Sequence, residues 1–259
     1  MFNRSVLKQA KFHRIVELLQ DPAGKTNLDI GADNGVISYL LRSRGGRWHS
    51  ADLDARAVAS IRQLVKENVH QLDGARTPFP AGTFDQVVVV DYLEHLPDDA
   101  AFVQELRRIL KPGGRVIINV PHLKPRSLLN RFRHRIGLTD EWHGHLRPGY
   151  NLEGLQQLLG SAFLIENAIT YSRTFSELID TLLNGLYRKI KPNKGPESRK
   201  GTVVTQGDVG AHRKEFLMLT LLYPALWAVA QLDHLLPLQR GYKLIVRARL
   251  AEPRLPAEA

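Results

Sequence analysis

Residues 28–35 read Leu-Asp-Ile-Gly-Ala-Asp-Asn-Gly and lie between an apolar run and a helical pattern. The apolar positions up to Ile30 predict a buried strand, and those from Val36 to Leu41 predict the inner face of a helix. A strand therefore turns sharply into a helix here. The N-terminus of such a helix presents backbone N–H groups, and Gly31 and Gly35 have no Cβ that would keep a ligand off the backbone. We expect an adenosine-bearing ligand at this turn.

The charges around the turn indicate which ligand it is. A dinucleotide fingerprint has glycine at its first, third and sixth positions, but counting from Gly31 these later positions hold Asp33 and Val36. The carboxylates of Asp29 and Asp33 repel a pyrophosphate and attract the sulfonium and ammonium groups of S-adenosylmethionine. Asp52, at the end of the next apolar segment, is placed to accept hydrogen bonds from both ribose hydroxyls. S-adenosylmethionine is favoured, and a nucleotide-binding oxidoreductase remains an alternative.

The turn alone has a second interpretation, in which its glycines only make a tight connection and Asp52 caps the next helix. The order of the later segments favours a ligand site. Residues 70–72 lead to Asp73 and Gly74, the apolar run 84–90 leads to Asp91, and the run 114–120 is followed by Pro121 and His122. In a parallel α/β sheet these strand ends share the edge at which ligands bind.

Three segments carry a family resemblance: LDIGADNG at 28–35, TPFPAGTFDQVVVVDYLEHLPDD at 77–99 and ELRRILKPGGRVIINVP at 105–121. Together they resemble class I S-adenosylmethionine-dependent methyltransferases, in particular the type-11 group, which includes enzymes that methylate quinones, lipids and natural products. The resemblance covers the first half of the chain. It implies an α/β fold with a Rossmann-like sheet of seven mostly parallel strands and helices on both faces.

The resemblance also implies S-adenosylmethionine as the cofactor and a set of residues around it. They are Asp29, Gly31, Ala32, Asp33, Gly35, Asp52, Leu53, Asp73, Gly74 and Asp91. Asp52 would hold the ribose, Asp73 with Gly74 would border the adenine, and Asp91 would close the pocket. The family usually has glycine where this chain has Asp33. Aspartate tolerates left-handed backbone geometry better than most residues, so we expect the turn to persist.

Composition limits the other possibilities. The chain has 259 residues, which suits one domain, 1–259, and it has no cysteine, which excludes disulfides, thiolate zinc sites and a cysteine nucleophile. The N-terminal sequence predicts a basic amphipathic helix without the apolar core of a signal peptide, which indicates a cytoplasmic protein. The formal net charge is +10, and residues 124–139 hold five Lys or Arg and no acid. Such a run is either a solvated face or a surface for an anionic substrate or membrane.

The second half of the chain contains an insertion. Residues 163–171 and 242–250 predict strands six and seven, yet the segment 172–240 between them is far longer than a hairpin needs. A helical stripe from Leu178 to Ile190 and an apolar stretch over 216–230, broken by Pro224, predict two helices. The polar segment 191–210 between them is expected to be mobile. The helices predict a lid, a homodimer surface, or a peripheral contact with the inner face of the membrane.

Histidines are the candidate catalytic residues. If the acceptor of the methyl group is a hydroxyl, a base is needed, and histidine titrates near neutral pH. We expect His143 or His145 to be the base and His95 to shape the pocket wall; a structural role for each is the alternative. A metal held by His143, His145 and a carboxylate is less favoured, because only two close nitrogens are visible.

The acceptor is expected to be a small-molecule or lipid-linked metabolite, methylated at oxygen. RNA is the main alternative. Methyltransferases that act on an exocyclic amine of a base usually carry an Asn/Asp-Pro-Pro-Tyr/Phe segment after strand four, whereas this chain has Asp91-Tyr92-Leu93-Glu94. Methylation of base amino groups is therefore disfavoured, and methylation of an RNA ribose or base carbon stays open.

Overall fold

A computed structural model describes residues 2–190, 213–236 and 238–251. Its central feature is one seven-stranded sheet with the order β3-β2-β1-β4-β5-β7-β6. The strands are β1 Thr26–Ile30, β2 Arg47–Asp52, β3 Val69–Gln71, β4 Phe84–Val90, β5 Leu110–Pro121, β6 Phe163–Tyr171 and β7 Lys243–Leu250. Only β7 runs antiparallel to its two neighbours, β5 and β6. The predicted Rossmann-like, mostly parallel sheet is confirmed.

Helices cover both faces of this sheet. They are α1 Val6–Leu18, α2 Val36–Arg42, α3 Ala55–Val65, α4 Asp99–Ile109, α5 Leu128–Arg135, α6 Leu152–Leu159, α7 Thr174–Ile190 and α8 Arg213–Gln231. Short 3-10 turns lie at 93–95, 141–143 and 232–235. Because both faces are covered, β4 is apolar throughout its central part, and Val87, Val88 and Val89 are fully buried.

The core has one layer on each side of the sheet. One layer packs Phe102 and Leu106 of α4 and Leu155 of α6 against the sheet, and the other packs Ile15 of α1 and Leu41 of α2. The parallel strands β1, β2, β4 and β5 all end at the same edge. This edge therefore collects the turn at 31–35 and the residues that follow Val90 and Pro121.

The segment between β6 and β7 contributes α7, α8 and the turn at 232–235. The predicted apolar stripe of α7 is only partly an inner face: Ile179 is buried, whereas Leu182 and Leu186 are about half exposed. The buried positions of α7 include the polar residues Glu177 and Thr181. The segment predicted to be mobile, 191–210, lies outside the described residues. None of the helices in the described parts of the chain is both long and apolar enough to cross a membrane.

Candidate active site

The turn at 31–35 connects β1 to α2 and has left-handed backbone geometry at three positions. The φ angles are 87° at Gly31, 52° at Asp33 and 81° at Gly35. Asp33 thus adopts the geometry that glycine favours, as expected, and the turn persists. A Cβ on Gly35 would lie 2.7 Å from Cα of Ile61 in α3, so only glycine allows α2 and α3 to approach this closely. Gly35 therefore has a packing role in addition to any contact with a ligand.

Asp29 lies beneath this turn and is fully buried. Its Oδ1 accepts a hydrogen bond from Ser38 Oγ at 2.6 Å, and its Oδ2 accepts one from Ser50 Oγ at 2.7 Å. Burial raises the pKa of Asp29 to about 6, although both hydroxyl groups favour the ionised form. Asp29 thus joins β1, α2 and β2, and both of its oxygens are engaged within the protein.

Asp52 ends β2 and is also fully buried. Its Oδ1 accepts a hydrogen bond from the backbone N–H of Asp54 at 3.1 Å. The cap of α3 is Asp54, whose Oδ1 accepts from the N–H of Arg56 at 2.7 Å. The capping role considered for Asp52 therefore belongs to Asp54. Ala32 and Leu53 are buried beside these carboxylates and belong to the two core layers.

Tyr92 connects Asp52 to the segment after β3, and it was not among the site residues predicted from the sequence. Its hydroxyl donates a hydrogen bond to the carbonyl of Gly74 at 3.0 Å. Burial raises the pKa of Tyr92, and the charge of Asp52 raises it further. Gly74 has a φ of 69° with open space where a Cβ would lie, and Asp73 is exposed beside it. The predicted ribose and adenine residues thus lie on one side of the strand edge.

Asp91 follows β4 with a left-handed φ of 44° and lies at the centre of a charged network. Its Oδ1 accepts from Asn119 Nδ2 at 2.8 Å, and Tyr171 donates its hydroxyl to Asn119 Oδ1 at 2.6 Å. Its Oδ2 pairs with Nζ of Lys11 from α1. Burial alone would raise the pKa of Asp91, but Lys11 and then Lys243 hold it well below its usual range.

Lys11 shows that this edge of the sheet stabilises a positive charge. Burial lowers the pKa of Lys11, but the charges of Asp91 and Asp33 outweigh this effect and raise it to about 12. A protein ammonium group thus pairs with Asp91 and is attracted by Asp33, two of the predicted cofactor carboxylates. The predicted cofactor residues that carry a charge are all acidic. The turn at 31–35 adds residues that are small or have left-handed backbone geometry, next to the N-terminus of α2. These residues fit a cationic adenosine ligand. The basic N-terminal helix was the only sequence signal for Lys11.

A second loop brings His143 and His145 to His95, in the turn after β4. The backbone N–H of Leu146 donates to the carbonyl of Glu94 at 2.8 Å, and His95 Nδ1 lies 2.8 Å from the carbonyl of Gly144. The ring of His145 lies 5.0 Å from that of His95 and 5.4 Å from that of His143, measured between centroids. All three predicted catalytic residues are therefore neighbours. His122 is separate: it is buried, and its Nδ1 lies 2.7 Å from the carbonyl of Gly241.

His143 and His145 differ in their electrostatic surroundings. Burial lowers the pKa of His143 to about 3, and the neighbouring His145 and Arg133 lower it in the same direction. Its buried Nε2 has no hydrogen-bond partner among the described residues. His145 places Nδ1 3.9 Å from Oδ1 of Asp140, and this proximity lowers the pKa of the Asp140 carboxyl. Asp140 is thus the charged neighbour of His145, whereas burial keeps His143 neutral across the physiological range.

The same loop creates a group of potential metal ligands. Ligand atoms of Glu94, His95 and His145 lie within 4.8 Å of one another. One carboxylate and two imidazoles are a donor set that divalent transition metals accept. The group differs from the one considered from the sequence, because Glu94 and His95, rather than His143, place ligand atoms beside that of His145.

Comparison with known proteins relates part of this chain to methyltransferases. Residues 28–118 match a family model described as a methyltransferase domain. A ubiquinone biosynthesis O-methyltransferase of Pseudomonas paraeruginosa is 33% identical over 113 residues, which cover 41% of this chain and 49% of that protein. The chain spans about half the length of the curated relatives it matches.

Solved structures share the fold at low identity. An S-adenosylmethionine-dependent methyltransferase from Mesorhizobium loti superposes with a TM-score of 0.56 at 16% identity, covering 93% of this chain and 97% of that one. The [4+2]-cyclase SpnF gives a TM-score of 0.60 at 19% identity, covering 95% and 82% of the two chains. The second neighbour is titled for a different reaction, so the fold alone does not fix the chemistry. Residues 28–118 are therefore similar to a methyltransferase domain, and the chain shares the fold of S-adenosylmethionine-dependent methyltransferases.

Proposed function

We propose that this protein transfers a methyl group from S-adenosylmethionine to an oxygen of a small-molecule or lipid-linked acceptor. The observation that carries the proposal is the meeting of two residue sets at one sheet edge: the carboxylates around Lys11, and the histidines of the 140–147 loop docked on the turn after β4. The relatives named for ubiquinone biosynthesis support an acceptor oxygen, as do the adjacent imidazoles.

The carboxylate side would hold the donor. Asp52 would accept hydrogen bonds from the ribose hydroxyls, and the segment at Asp73 and Gly74 would border the adenine, because Tyr92 joins this segment to the Asp52 side of the pocket. Asp33 and Asp91 would face the cationic end of the donor, since both already attract the ammonium group of Lys11. When bound, the cofactor supplies an electrophilic methyl group on a sulfonium whose sulfur leaves as a neutral thioether.

The histidine side would handle the proton of the acceptor hydroxyl. We assign His145 as the base, because Asp140 lies 3.9 Å from its Nδ1 and stabilises the imidazolium that forms when Nε2 takes the proton. His143 has a pKa of about 3 and is therefore a poor proton acceptor. Its neutral, buried Nε2 would instead accept a hydrogen bond and orient the hydroxyl. His95, fixed by the carbonyl of Gly144, would form the wall of the pocket.

The direct test follows the methyl label. The purified protein is incubated with methyl-labelled S-adenosylmethionine and fractionated lysate, with catechol as a defined hydroxyl acceptor in a parallel reaction. We expect label in an organic-extractable product that withstands mild alkali, as an ether does and a methyl ester does not. Label that enters only RNase-sensitive material would favour the RNA alternative, for which the basic surface of α5 is the supporting observation. No transfer to any fraction would contradict the proposal.

A His145→Gln variant tests the assignment of the base. General-base catalysis contributes about 10²–10⁴-fold, so we expect kcat to fall by about 10²-fold with donor affinity unchanged. His122→Gln is the matched control, because His122 lies outside the histidine group and is held by Gly241. A kcat that is the same in His145→Gln and in the native protein would remove His145 from the mechanism.

A further inference from the structure

Helix α8 presents its apolar side outwards. Leu217, Met218, Leu221 and Leu222 are 60%, 48%, 73% and 46% exposed. They fall on one face of the helix, because residues three and four apart are neighbours on its surface. The polar Tyr223 points the other way, and its hydroxyl accepts a hydrogen bond from Gln9 Nε2 of α1 at 3.0 Å. A helix that faces water shows the opposite pattern, with polar residues outside.

The apolar face continues beyond this one stripe. Residues 217–230 contain no charged side chain. Trp227 is 50% exposed at the C-terminal part of α8, and Leu235 is 73% exposed in the turn that follows. Helix α7, which packs against α8, exposes Leu182 and Leu186. An exposed apolar area of this extent on one protein marks an interaction site.

A cationic helix borders this face. Helix α5 contacts α7 through Arg133, which pairs with Glu177 at 3.2 Å, and Arg188 of α7 donates to the carbonyl of Ile136 at 2.7 Å. On α5 the exposed side chains include Leu128, Phe132, Arg131 and Arg135, which alternate apolar and cationic character over two turns. No acidic residue occurs between positions 124 and 139.

We propose that the outward sides of α5, α7 and α8, here called the helical face, dock on an anionic lipid surface. Apolar side chains with an interfacial tryptophan and neighbouring arginines are the combination that lies in the plane of an anionic bilayer. A second copy of this chain is the less suitable occupant, because a two-fold contact would bring like-charged copies of α5 towards each other. The inference does not depend on methyl transfer.

The helical face is one helix away from the candidate active site. Helix α8 rests on α1 through Tyr223 and Gln9, and α1 carries Lys11 to Asp91. A bilayer on the outer side of α8 therefore brings the site next to the lipid headgroups. An acceptor with a lipid tail reaches a site in this position without leaving the membrane completely.

Vesicle co-sedimentation of the full chain tests the proposal. We expect binding to vesicles of phosphatidylcholine with 30% phosphatidylglycerol, at least tenfold weaker binding to pure phosphatidylcholine, and loss of most binding in high salt. Leu221→Glu places a charge on the helical face and should weaken binding about tenfold or more. Leu164→Glu is the matched control, because Leu164 is 52% exposed on β6, away from this face.

The outcomes separate this inference from the proposed function. The inference is overturned if the native protein binds neither type of vesicle. It is also overturned if Leu221→Glu and Leu164→Glu weaken vesicle binding equally. If sedimentation shows that the native protein is a dimer and that Leu221→Glu is a monomer, the helical face binds a second copy of this chain, and the inference is overturned. Methylation of soluble catechol should be the same in Leu221→Glu and in the native protein. Vesicle binding without any methyl transfer would sustain the inference and contradict the proposed function alone.

Discussion

The two sides of the candidate active site are built in different ways. On the donor side, the turn at 31–35, Asp52 and Asp91 each follow directly from a strand, so the sheet fixes their positions. On the acceptor side, the histidine loop comes from a distant part of the chain and meets the turn after β4 through Leu146 with Glu94 and Gly144 with His95. A strand end is a local feature of a sequence, whereas a pair separated by 49 residues is not.

The largest effect is expected at Gly35, in the turn by which the sheet fixes the donor side. In Gly35→Ala the new Cβ would lie 2.7 Å from Cα of Ile61, at a φ of 81°. Left-handed strain and overpacking together should lower the free energy of unfolding by about 3 kcal/mol, measured by urea denaturation. Gly74→Ala is the control, because its φ is also positive but its Cβ would meet open space. Equal losses in both variants would show that packing at Gly35 is unimportant.

Asp52 tests whether the donor side binds as the strand ends imply. Asp52→Ala removes a carboxylate expected to bond the ribose, and hydrogen bonds to a charged group contribute about 1.5–3 kcal/mol. We expect the Kd for S-adenosylmethionine to rise about thirtyfold in calorimetry. Asp54→Asn keeps the cap of α3 and should leave this Kd within about twofold of the native value. An unchanged Kd in Asp52→Ala would break the assignment of the donor side.

On the acceptor side, a smaller effect is expected for His143, in the pH dependence of the stability of the protein. The pKa of His143 is about 3 in the folded protein, because it is buried, and near 6.5 in an unfolded chain. The unfolded state therefore binds more protons between these values, so the stabilising contribution is complete above about pH 6.5 and is lost as the pH falls towards 3. His143→Gln should reduce the stability difference between pH 7.5 and pH 5 by about 1–2 kcal/mol in urea denaturation.

The same measurement on a second buried histidine provides the comparison. Burial also lowers the pKa of His122, so His122→Gln should change the pH dependence of stability in the same direction. If His143→Gln shows the native pH dependence, the imidazole of His143 is not held neutral in the fold. The acceptor side would then lack the distinction between His143 and His145 on which the assignment of the base depends.

The sheet and its ligand edge could be predicted because strand and turn signals are local. The positive φ of Asp33 and the apolar run of β4 both follow from short stretches of sequence. The bonds that Asp29 makes with two serines and the pairing of Lys11 with Asp91 could not be predicted in this way. Each depends on which elements the completed fold places next to each other. The three histidines were candidates from the sequence, but only the structure shows that the 140–147 loop lies against His95.

Between Gly144 and Leu146, that loop docks through its main-chain atoms. Leu146 contributes its N–H, Glu94 its carbonyl, and Gly144 the carbonyl that faces His95. Main-chain groups are the same in every amino acid, so this docking does not depend on the imidazole rings of His143 and His145. Substitutions at 143 and 145 should therefore change the chemistry of this chain and leave the backbone of the loop in place. These two positions are suitable starting points for directed evolution.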